Sequence, residues 1–324
     1  MLSFKQAKQI VTNAREIVVA SHINPDGDSI GSLLSLGLGL EKLGKRLHFI
    51  SADGVPKRYS RLPAAYRIKD SLNKSVDLAI AVDCSNKEIL GSAWEIFGRA
   101  KTIMEIDHHE FRRPFGKISF IDKKAAAVGE LVYKLLGELN VSIDKEIAQN
   151  LLTSIIVETD SFRLPAVSAF TFEICYRLMK RGVDFYKLSD MVYWSKTKEA
   201  IILSGLALAR CKFMQRGRIA WSIVHREDFD LVKGKDEDVD TVADELRSIQ
   251  GVEIVVLFRQ TNKEHIRVSL RSKGRINVAG IAEHYGGGGH FDVAGCSIPN
   301  SPASMRELLK IASRLLEART HAKI

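Results

Sequence analysis

The sequence has 324 residues, of which 45% are hydrophobic, and this is enough apolar material for two domain cores of ordinary size. Its 48 Lys and Arg residues against 39 Asp and Glu residues give a formal charge of +9, which favours a polyanionic partner such as RNA or a nucleotide. The four cysteines form no CxxC pair, and no apolar run approaches the ~20 residues of a membrane span. These features argue against a zinc knuckle, a disulfide framework and a membrane partner, and they predict a cytoplasmic protein.

Short apolar runs alternate with helical patterns in the first half of the chain, which is typical of an α/β domain built on a parallel sheet. Strands are predicted at 16–20, 47–50, 77–83 and 102–106, and helices at 29–43, 125–139, 145–157 and 169–181. Because the last three helices follow the strands, we expect a parallel sheet with a helical cap. This first domain is assigned to residues 1–190.

A smaller domain is predicted in the second half of the chain. The helical pattern continues to residue 211 without a Gly/Ser-rich or Pro-rich break, so 191–211 is predicted to be a connecting helix. Strands are then predicted at 218–225, 253–260 and 265–271, with a helix at 239–249. We therefore expect a second α/β domain at 212–324.

Three residues that can bind metal ions follow the first predicted strand. His22, Asp26 and Asp28 lie on one loop, and Gly27 allows the backbone to bend so that both carboxylates point toward a common centre. The simpler interpretation is that Asp28 or Ser29 caps the following helix and that His22 is a turn residue. The loop alone does not decide between the two interpretations.

Acidic residues and histidines also end two further strands. Asp83 follows the strand at 77–83, and Asp107-His108-His109 follows the strand at 102–106. A single Asp at a strand end is usually a turn former, but three strand ends rich in Asp and His are hard to explain in this way. The carboxyl ends of parallel strands are where such sheets bind ligands, so we predict a metal site there.

The ligand types favour a transition ion. Carboxylate and imidazole together suit manganese, whereas oxygen ligands alone indicate magnesium or calcium. A pair of ions about 3.5–4 Å apart needs a bridging carboxylate, and Asp83 is the natural candidate. Glu158 and Asp160, at the end of the helix predicted at 145–157, are a further source of carboxylates, although a solvated helix end explains them equally well without the other clusters.

The second domain contains a run of four glycines, Gly286 to Gly289, that ends in His290. Such a run is either a mobile linker or a place where the backbone approaches an anion closely. Because ordered segments are predicted on both sides, we favour anion contact. Arg271 and His290 can add charge-assisted hydrogen bonds to a phosphate. The predicted substrate-binding residues are Arg271, Gly287, Gly288, Gly289 and His290.

Together these motifs resemble the DHH phosphoesterase superfamily. The motif Asp107-His108-His109, the earlier His22-Ile23-Asn24-Pro25-Asp26-Gly27-Asp28 and the later glycine run are similar to those of NrnA-type oligoribonucleases and pAp phosphatases, which join a DHH domain to a DHH-associated domain. The resemblance implies that the active site lies in a cleft between the domains. It also implies two metal ions and a role for each ligand.

The roles implied by the resemblance are specific. His22 and Asp26 bind one ion, Asp28 and His108 bind the other, and Asp83 bridges them. His109 faces the scissile phosphate, and Asp107 orients a neighbouring imidazole.

The chain departs from the family pattern Asp-Thr-Gly at Glu158-Thr159-Asp160. Glu158 then becomes the last metal ligand, whereas Asp160 replaces the usual glycine. Asp160 is either an additional ligand, a hydrogen-bond acceptor near the ions, or a negative charge that weakens substrate binding.

The function implied by the resemblance is manganese-dependent hydrolysis of short RNA, pAp or both, with water activated by two Mn²⁺ ions, for which Mg²⁺ or Co²⁺ could substitute. Two alternatives are a family II inorganic pyrophosphatase and a non-catalytic nucleotide-binding or RNA-binding relative whose metal site Asp160 has altered. The oligomeric state is left open, with a homodimer among the options.

Overall fold

The structure is a computed structural model that describes residues 4–273, 276–289 and 291–321. The chain forms two compact units, Met1–Ser195 and Lys196–Ile324. Among the described residues, no helix is both long enough and apolar enough to span a membrane.

The first unit contains the parallel sheet that the sequence predicts. Its five strands are all parallel and lie in the order β2-β1-β3-β4-β5. Their bounds are β1 Glu16–Ala20, β2 Arg46–Ile50, β3 Leu78–Val82, β4 Thr102–Asp107 and β5 Ile118–Ile121. The predicted parallel sheet is therefore confirmed, with β5 as a strand that the sequence pattern missed.

Helices cover both faces of this sheet. They are α1 Phe4–Asn13, α2 Gly27–Glu41, α3 Trp94–Phe97, α4 Val128–Glu138, α5 Lys145–Glu158, α6 Ala169–Met179 and α7 Phe185–Tyr193. Successive residues of a strand point to opposite faces, so Ile17 and Val19 enter one hydrophobic core while Val18 and Ala20 enter the other. Burial on both faces explains why β3 and all of β1 after its first residue are continuous apolar runs.

Close packing of α2 against α5 depends on Gly31. A Cβ atom at this position would lie 2.4 Å from the carbonyl oxygen of Asn150, so only glycine lets the two helix backbones come this near. The contact brings α5 close enough for the hydroxyl of Ser154 to reach the start of α2.

The second unit is built on a six-stranded sheet in the order β10-β11-β9-β8-β7-β6. Among the described strands of this sheet, only β7 and β8 pair in parallel. The strands are β6 Lys212–Met214, β7 Ile219–Val224, β8 Ile254–Arg259, β9 His265–Ser272, β10 Gly288–Gly289 and β11 Val293–Pro299, and the helices are α8 Lys198–Ala209, α9 Arg226–Val232, α10 Val242–Arg247, α11 Ala279–His284 and α12 Pro302–His321. The predicted pairing of β8 with β9 is present and antiparallel.

The stretch 191–211, expected to be one connecting helix, is divided in the structure. Helix α7 ends at Tyr193, and α8 begins at Lys198 with its first turn capped by the Thr197 side chain, which accepts a hydrogen bond from the Ala200 amide. Helix α8 lies in the second unit, where Leu203 and Ala207 join a hydrophobic core with β7 and β8. Thr197 is an N-cap residue and so marks the start of a new helix, but the helical spacing of apolar residues continues across it.

Candidate metal centre

The ends of three neighbouring strands carry the residues that the sequence singles out. His22 follows β1, Asp83 follows β3, and His108 and His109 follow β4. Because β1, β3 and β4 are adjacent and parallel, their carboxyl ends lie side by side. The start of α2 adds Asp26 and Asp28, and the last residue of α5 is Glu158.

One group consists of His22, Asp26 and Asp83. The Nε2 atom of His22 lies 3.6 Å from Oδ2 of Asp83 and 4.0 Å from Oδ1 of Asp26. The Nδ1 atom of His22 donates a hydrogen bond to the carbonyl of Ile23 at 2.7 Å, so the ring is held with Nε2 toward the two carboxylates. These three donor atoms could hold one metal ion between them.

A second group consists of Asp28, His108 and Glu158. The Nε2 atom of His108 lies 3.4 Å from Oε1 of Glu158 and 3.8 Å from Oδ2 of Asp28. Its Nδ1 atom donates to the carbonyl of Ala125 at 3.0 Å. As in the first group, a backbone acceptor fixes the ring and directs the other nitrogen to the carboxylates.

Asp83 lies between the two groups. Its Oδ2 faces His22, and its Oδ1 lies 3.9 Å from Nε2 of His108 and 3.6 Å from Nδ1 of His109. Asp83 is buried, and its Oδ1 accepts no hydrogen bond from the described residues. A buried carboxylate oxygen in this state is costly unless a cation binds it, so the residues present fit a metal ion on each side of Asp83.

Asp28 is held by contacts that the sequence pattern did not indicate. Its carboxylate accepts hydrogen bonds from the amide of Val128 at 2.9 Å, from the hydroxyl of Ser154 at 2.5 Å and from the hydroxyl of Ser32 at 3.1 Å. It is completely buried, and it is not the helix cap. Asp26 caps α2, because its Oδ1 accepts the amide of Ser29 at 2.9 Å.

Asp107 holds His109 in place. Its Oδ1 accepts a hydrogen bond from Nδ1 of His109 at 2.6 Å and another from the backbone amide of His108 at 2.8 Å. Its Oδ2 accepts a hydrogen bond from Nε of Arg112 at 2.5 Å. Arg112 lies outside the predicted site residues, and its only signal in the sequence is its position three residues after the Asp-His-His motif.

Crowded carboxylates and imidazoles perturb the pKa values of the site. Burial, followed by the charge of Asp83, raises the pKa of Asp28 well above its usual range, and burial raises the pKa of Glu158. Burial alone would lower the pKa of His22, but the nearby Asp83 and Asp26 carboxylates outweigh it and raise this pKa to about 10. A divalent cation at this site would favour the ionised form of both carboxyl groups.

Comparison with known proteins identifies the family. The DHH family, N-terminal domain, matches residues 16–155, and the DHHA1 domain matches residues 231–318. The bifunctional oligoribonuclease and PAP phosphatase NrnA of Thermus thermophilus is 30% identical over 286 residues, which cover 87% of this chain and 84% of that protein. This chain belongs to the NrnA group of DHH phosphoesterases. It is therefore a hydrolase that acts on phosphoric ester bonds.

Further comparisons agree with this assignment. The bifunctional oligoribonuclease and PAP phosphatase NrnA of Bacillus subtilis is 25% identical over 87% of this chain and 89% of its own length. The crystal structure of an exopolyphosphatase-related protein from Bacteroides fragilis has the same fold, with a TM-score of 0.87 and 23% identity over 97% of this chain and 95% of that one.

Asp160, at the position where the resemblance to the DHH family implies glycine, lies outside the His and carboxylate groups of the described residues. Its Oδ1 accepts a hydrogen bond from Arg163 at 2.5 Å. The backbone of Asp160 has a φ of +47°, in the left-handed region that glycine adopts without strain and that Asp tolerates. A backbone requirement at this turn explains the family's glycine, and pairing with Arg163 directs the Asp160 carboxylate.

Replacing Asp160 with glycine is accordingly expected to leave kcat and KM within about twofold of the wild type and to change the free energy of unfolding by less than about 1 kcal/mol. Glycine relieves the left-handed strain but loses the Arg163 pair, and the two effects oppose each other. Steady-state kinetics and urea unfolding measure both. A large rise in metal affinity in this variant would contradict the placement of Asp160 outside the metal centre, because it would show that the Asp160 carboxylate affects metal binding.

Two glycines of the run in the second unit are required by close packing against β11, which was not predicted from the sequence. Residues Gly288 and Gly289 form β10, which pairs with β11, so the run is ordered. A Cβ atom at Gly287 would lie 2.1 Å from the carbonyl oxygen of Gly295, and one at Gly289 would lie 2.4 Å from that of Val293. Close approach to β11 therefore requires glycine at both positions, whether or not an anion binds there.

Arg271 and His290 complete the predicted substrate-binding set. The guanidinium of Arg271 donates from Nε to Asp244 at 3.0 Å and from Nη1 to the carbonyl of Leu270 at 3.1 Å. Its side chain is thus already held by an acid that the sequence analysis did not consider. His290 lies outside the described residues, and its role stays a prediction.

Proposed function

We propose that this chain is a manganese-dependent phosphoesterase that hydrolyses short oligoribonucleotides and pAp with two bound metal ions. The observation that carries the proposal is the position of Asp83 between the His22–Asp26 pair and the Asp28–His108–Glu158 group. The names of the similar NrnA proteins support the choice of substrates.

In this proposal His22, Asp26 and Asp83 would hold one ion, and Asp28, Asp83, His108 and Glu158 would hold the other. Imidazole together with carboxylate favours manganese over magnesium or calcium, which prefer oxygen ligands. When bound, the cations supply an acidified water as nucleophile and neutralise charge on the phosphate oxygens.

The remaining residues orient and bind the substrate. Asp107 accepts the Nδ1–H of His109, and this hydrogen bond turns Nε2 of the imidazole away from Asp107 and makes it available to the scissile phosphate. Asp28 is kept in place by Val128 and Ser154, and the oxygen that accepts the Val128 amide, Oδ2, also faces His108. In the second unit, Arg271, His290 and the amides of Gly287, Gly288 and Gly289 bind the nucleotide part of the substrate.

A substrate panel tests the proposal. With Mn²⁺, the chain is expected to release nucleotides from short RNA and phosphate from pAp, and a chelator is expected to abolish both reactions. Pyrophosphate should be hydrolysed with a kcat/KM at least about 10²-fold lower, because it offers no nucleoside to bind. A linear dinucleotide belongs in the same panel, since only measured kcat/KM values rank these substrates.

Two results would contradict the proposal. Preferred hydrolysis of pyrophosphate would favour the family II pyrophosphatase alternative. Absence of all turnover with Mn²⁺ would favour the non-catalytic alternative. That alternative was suggested by the carboxylate of Asp160, and the pairing of this carboxylate with Arg163 weakens the argument for it.

A further inference from the structure

His109 is connected to three buried charged side chains: it bonds Asp107, Asp107 bonds Arg112, and Arg112 pairs with Glu105. Arg112 donates from Nε to Oδ2 of Asp107 at 2.5 Å, and its Nη2 lies 3.3 Å from Oε1 of Glu105. The Glu105 and Asp107 side chains are fully buried, and that of Arg112 is 7% exposed. The guanidinium therefore connects two carboxylates of β4 that point to the same side of the strand, two residues apart.

The two carboxylate oxygens of Asp107 bond different partners. Oδ1 accepts hydrogen bonds from His109 Nδ1 and from the His108 amide, whereas Oδ2 is bonded to Arg112. If Arg112 were absent, Oδ2 would be a buried charged atom without this donor, and the carboxylate would gain by turning toward another one. Turning would move Oδ1 away from the imidazole.

Glu105 holds both the guanidinium and the segment that carries it. Its Oε1 accepts the amide of Phe115 at 2.9 Å, and its Oε2 accepts the hydroxyl of Ser119 at 2.5 Å. Arg112 is thus hydrogen-bonded to Asp107 through Nε, and its Nη2 pairs with Glu105 at 3.3 Å in an ion pair without a hydrogen bond. A buried ion pair contributes little net stability compared with apolar residues of similar volume, so stability alone is a weak explanation for it.

We propose that Arg112 is a positioning residue, which fixes the Asp107 carboxylate and, through it, the imidazole of His109, while Glu105 anchors the guanidinium. Among the described residues, Arg112 contacts Asp107 and Glu105 and belongs to neither of the two His and carboxylate groups. Its effect on turnover rests on the proposed function, but its effect on the His109–Asp107 hydrogen bond does not.

Two measurements on the full chain test this role. In steady-state kinetics with pAp and saturating Mn²⁺, Arg112→Ala is expected to lower kcat about 10- to 100-fold, with KM and Mn²⁺ affinity within about twofold of the wild type. In NMR of the ¹⁵N-histidine-labelled protein without Mn²⁺, the low-field Nδ1–H signal of the hydrogen bond between His109 and Asp107 is expected to shift or disappear. His109→Gln assigns this signal by removing it.

Three further variants keep the test decisive. Arg113→Ala is the matched control, because Arg113 is the neighbouring arginine and its side chain is 78% exposed, and it should alter neither readout. Arg112→Lys retains the buried positive charge but lacks the planar guanidinium group. It should therefore fold even if Arg112→Ala does not, and its kcat should lie between those of Arg112→Ala and the wild type. Glu105→Gln should weaken the signal less than Arg112→Ala, because it loosens the anchor but leaves Arg112.

An unchanged His109 signal in both Arg112 variants would overturn the proposal, as would an Arg112→Ala loss that appears only in KM. If the wild-type chain hydrolyses none of the substrates, the proposed function fails, and the NMR comparison still decides what Arg112 does.

Discussion

Replacing Asp83 with asparagine is expected to lower kcat for every phosphoester substrate by about 10³-fold or more. Asparagine has the size of aspartate and tolerates the left-handed backbone of this residue, where φ is +60°, so the fold should be retained. The amide lacks the charge and the second anionic oxygen with which Asp83 faces both groups. Calorimetric titration should also show fewer Mn²⁺ ions bound per chain.

Asp122→Asn is the matched control for this variant. Asp122 follows β5 at the same edge of the sheet, its side chain is 41% exposed, and it lies outside the His and carboxylate groups of the described residues. It should keep wild-type kcat and metal stoichiometry. If Asp83→Asn retained a kcat within about tenfold of the wild type, Asp83 would not bridge two catalytic ions.

Mn²⁺ binding is expected to tighten with pH, by about tenfold per pH unit for each proton released, between about pH 6 and about pH 8. The pKa of His22 is raised to about 10 and that of His108 is also raised, so both imidazoles hold a proton more tightly in the metal-free protein than an ordinary histidine does. A cation binds only the neutral ring. Its entry must therefore expel protons, and higher pH favours that exchange until the pKa of His22 is passed.

The raised pKa values of Asp28 and Glu158 act in the same direction, because a protonated carboxyl group must also lose its proton to bind a cation. Calorimetry in buffers of different ionisation enthalpy counts the protons released. His22→Gln should reduce the count by about one, whereas His48→Gln should leave it unchanged, since His48 bonds Glu16 instead. An affinity that is independent of pH would show that the imidazoles are not ligands.

The sequence alone predicted the residues that the structure brings together at the metal centre. This was possible because the signal is local and repeated: an apolar strand ends, and His22, Asp83 or His108 follows it. The carboxyl ends of adjacent parallel strands always lie at one edge of the sheet, so strand identity is enough to bring these residues near one another. The spacing of apolar residues in the strands and helices of the first unit predicted the α/β fold class for the same reason, because this signal is also local.

Other features depended on contacts between distant parts of the chain. The amide of Val128 bonds Asp28 across 100 positions, and Ser154 reaches Asp28 only because Gly31 lets α5 approach α2. Likewise, the reason for the glycine run lies in its pairing with β11. Local patterns do not encode these contacts.

What the sequence by itself determined, then, is which His and carboxylate side chains gather at the candidate metal centre and which sheet edge presents them, because both follow from short-range periodicity. Only the tertiary structure decided how Asp83 lies between two groups and how Arg112 holds Asp107. Those arrangements are set by strand order and by the burial of charges that must find partners, and burial is a property of the packed chain as a whole.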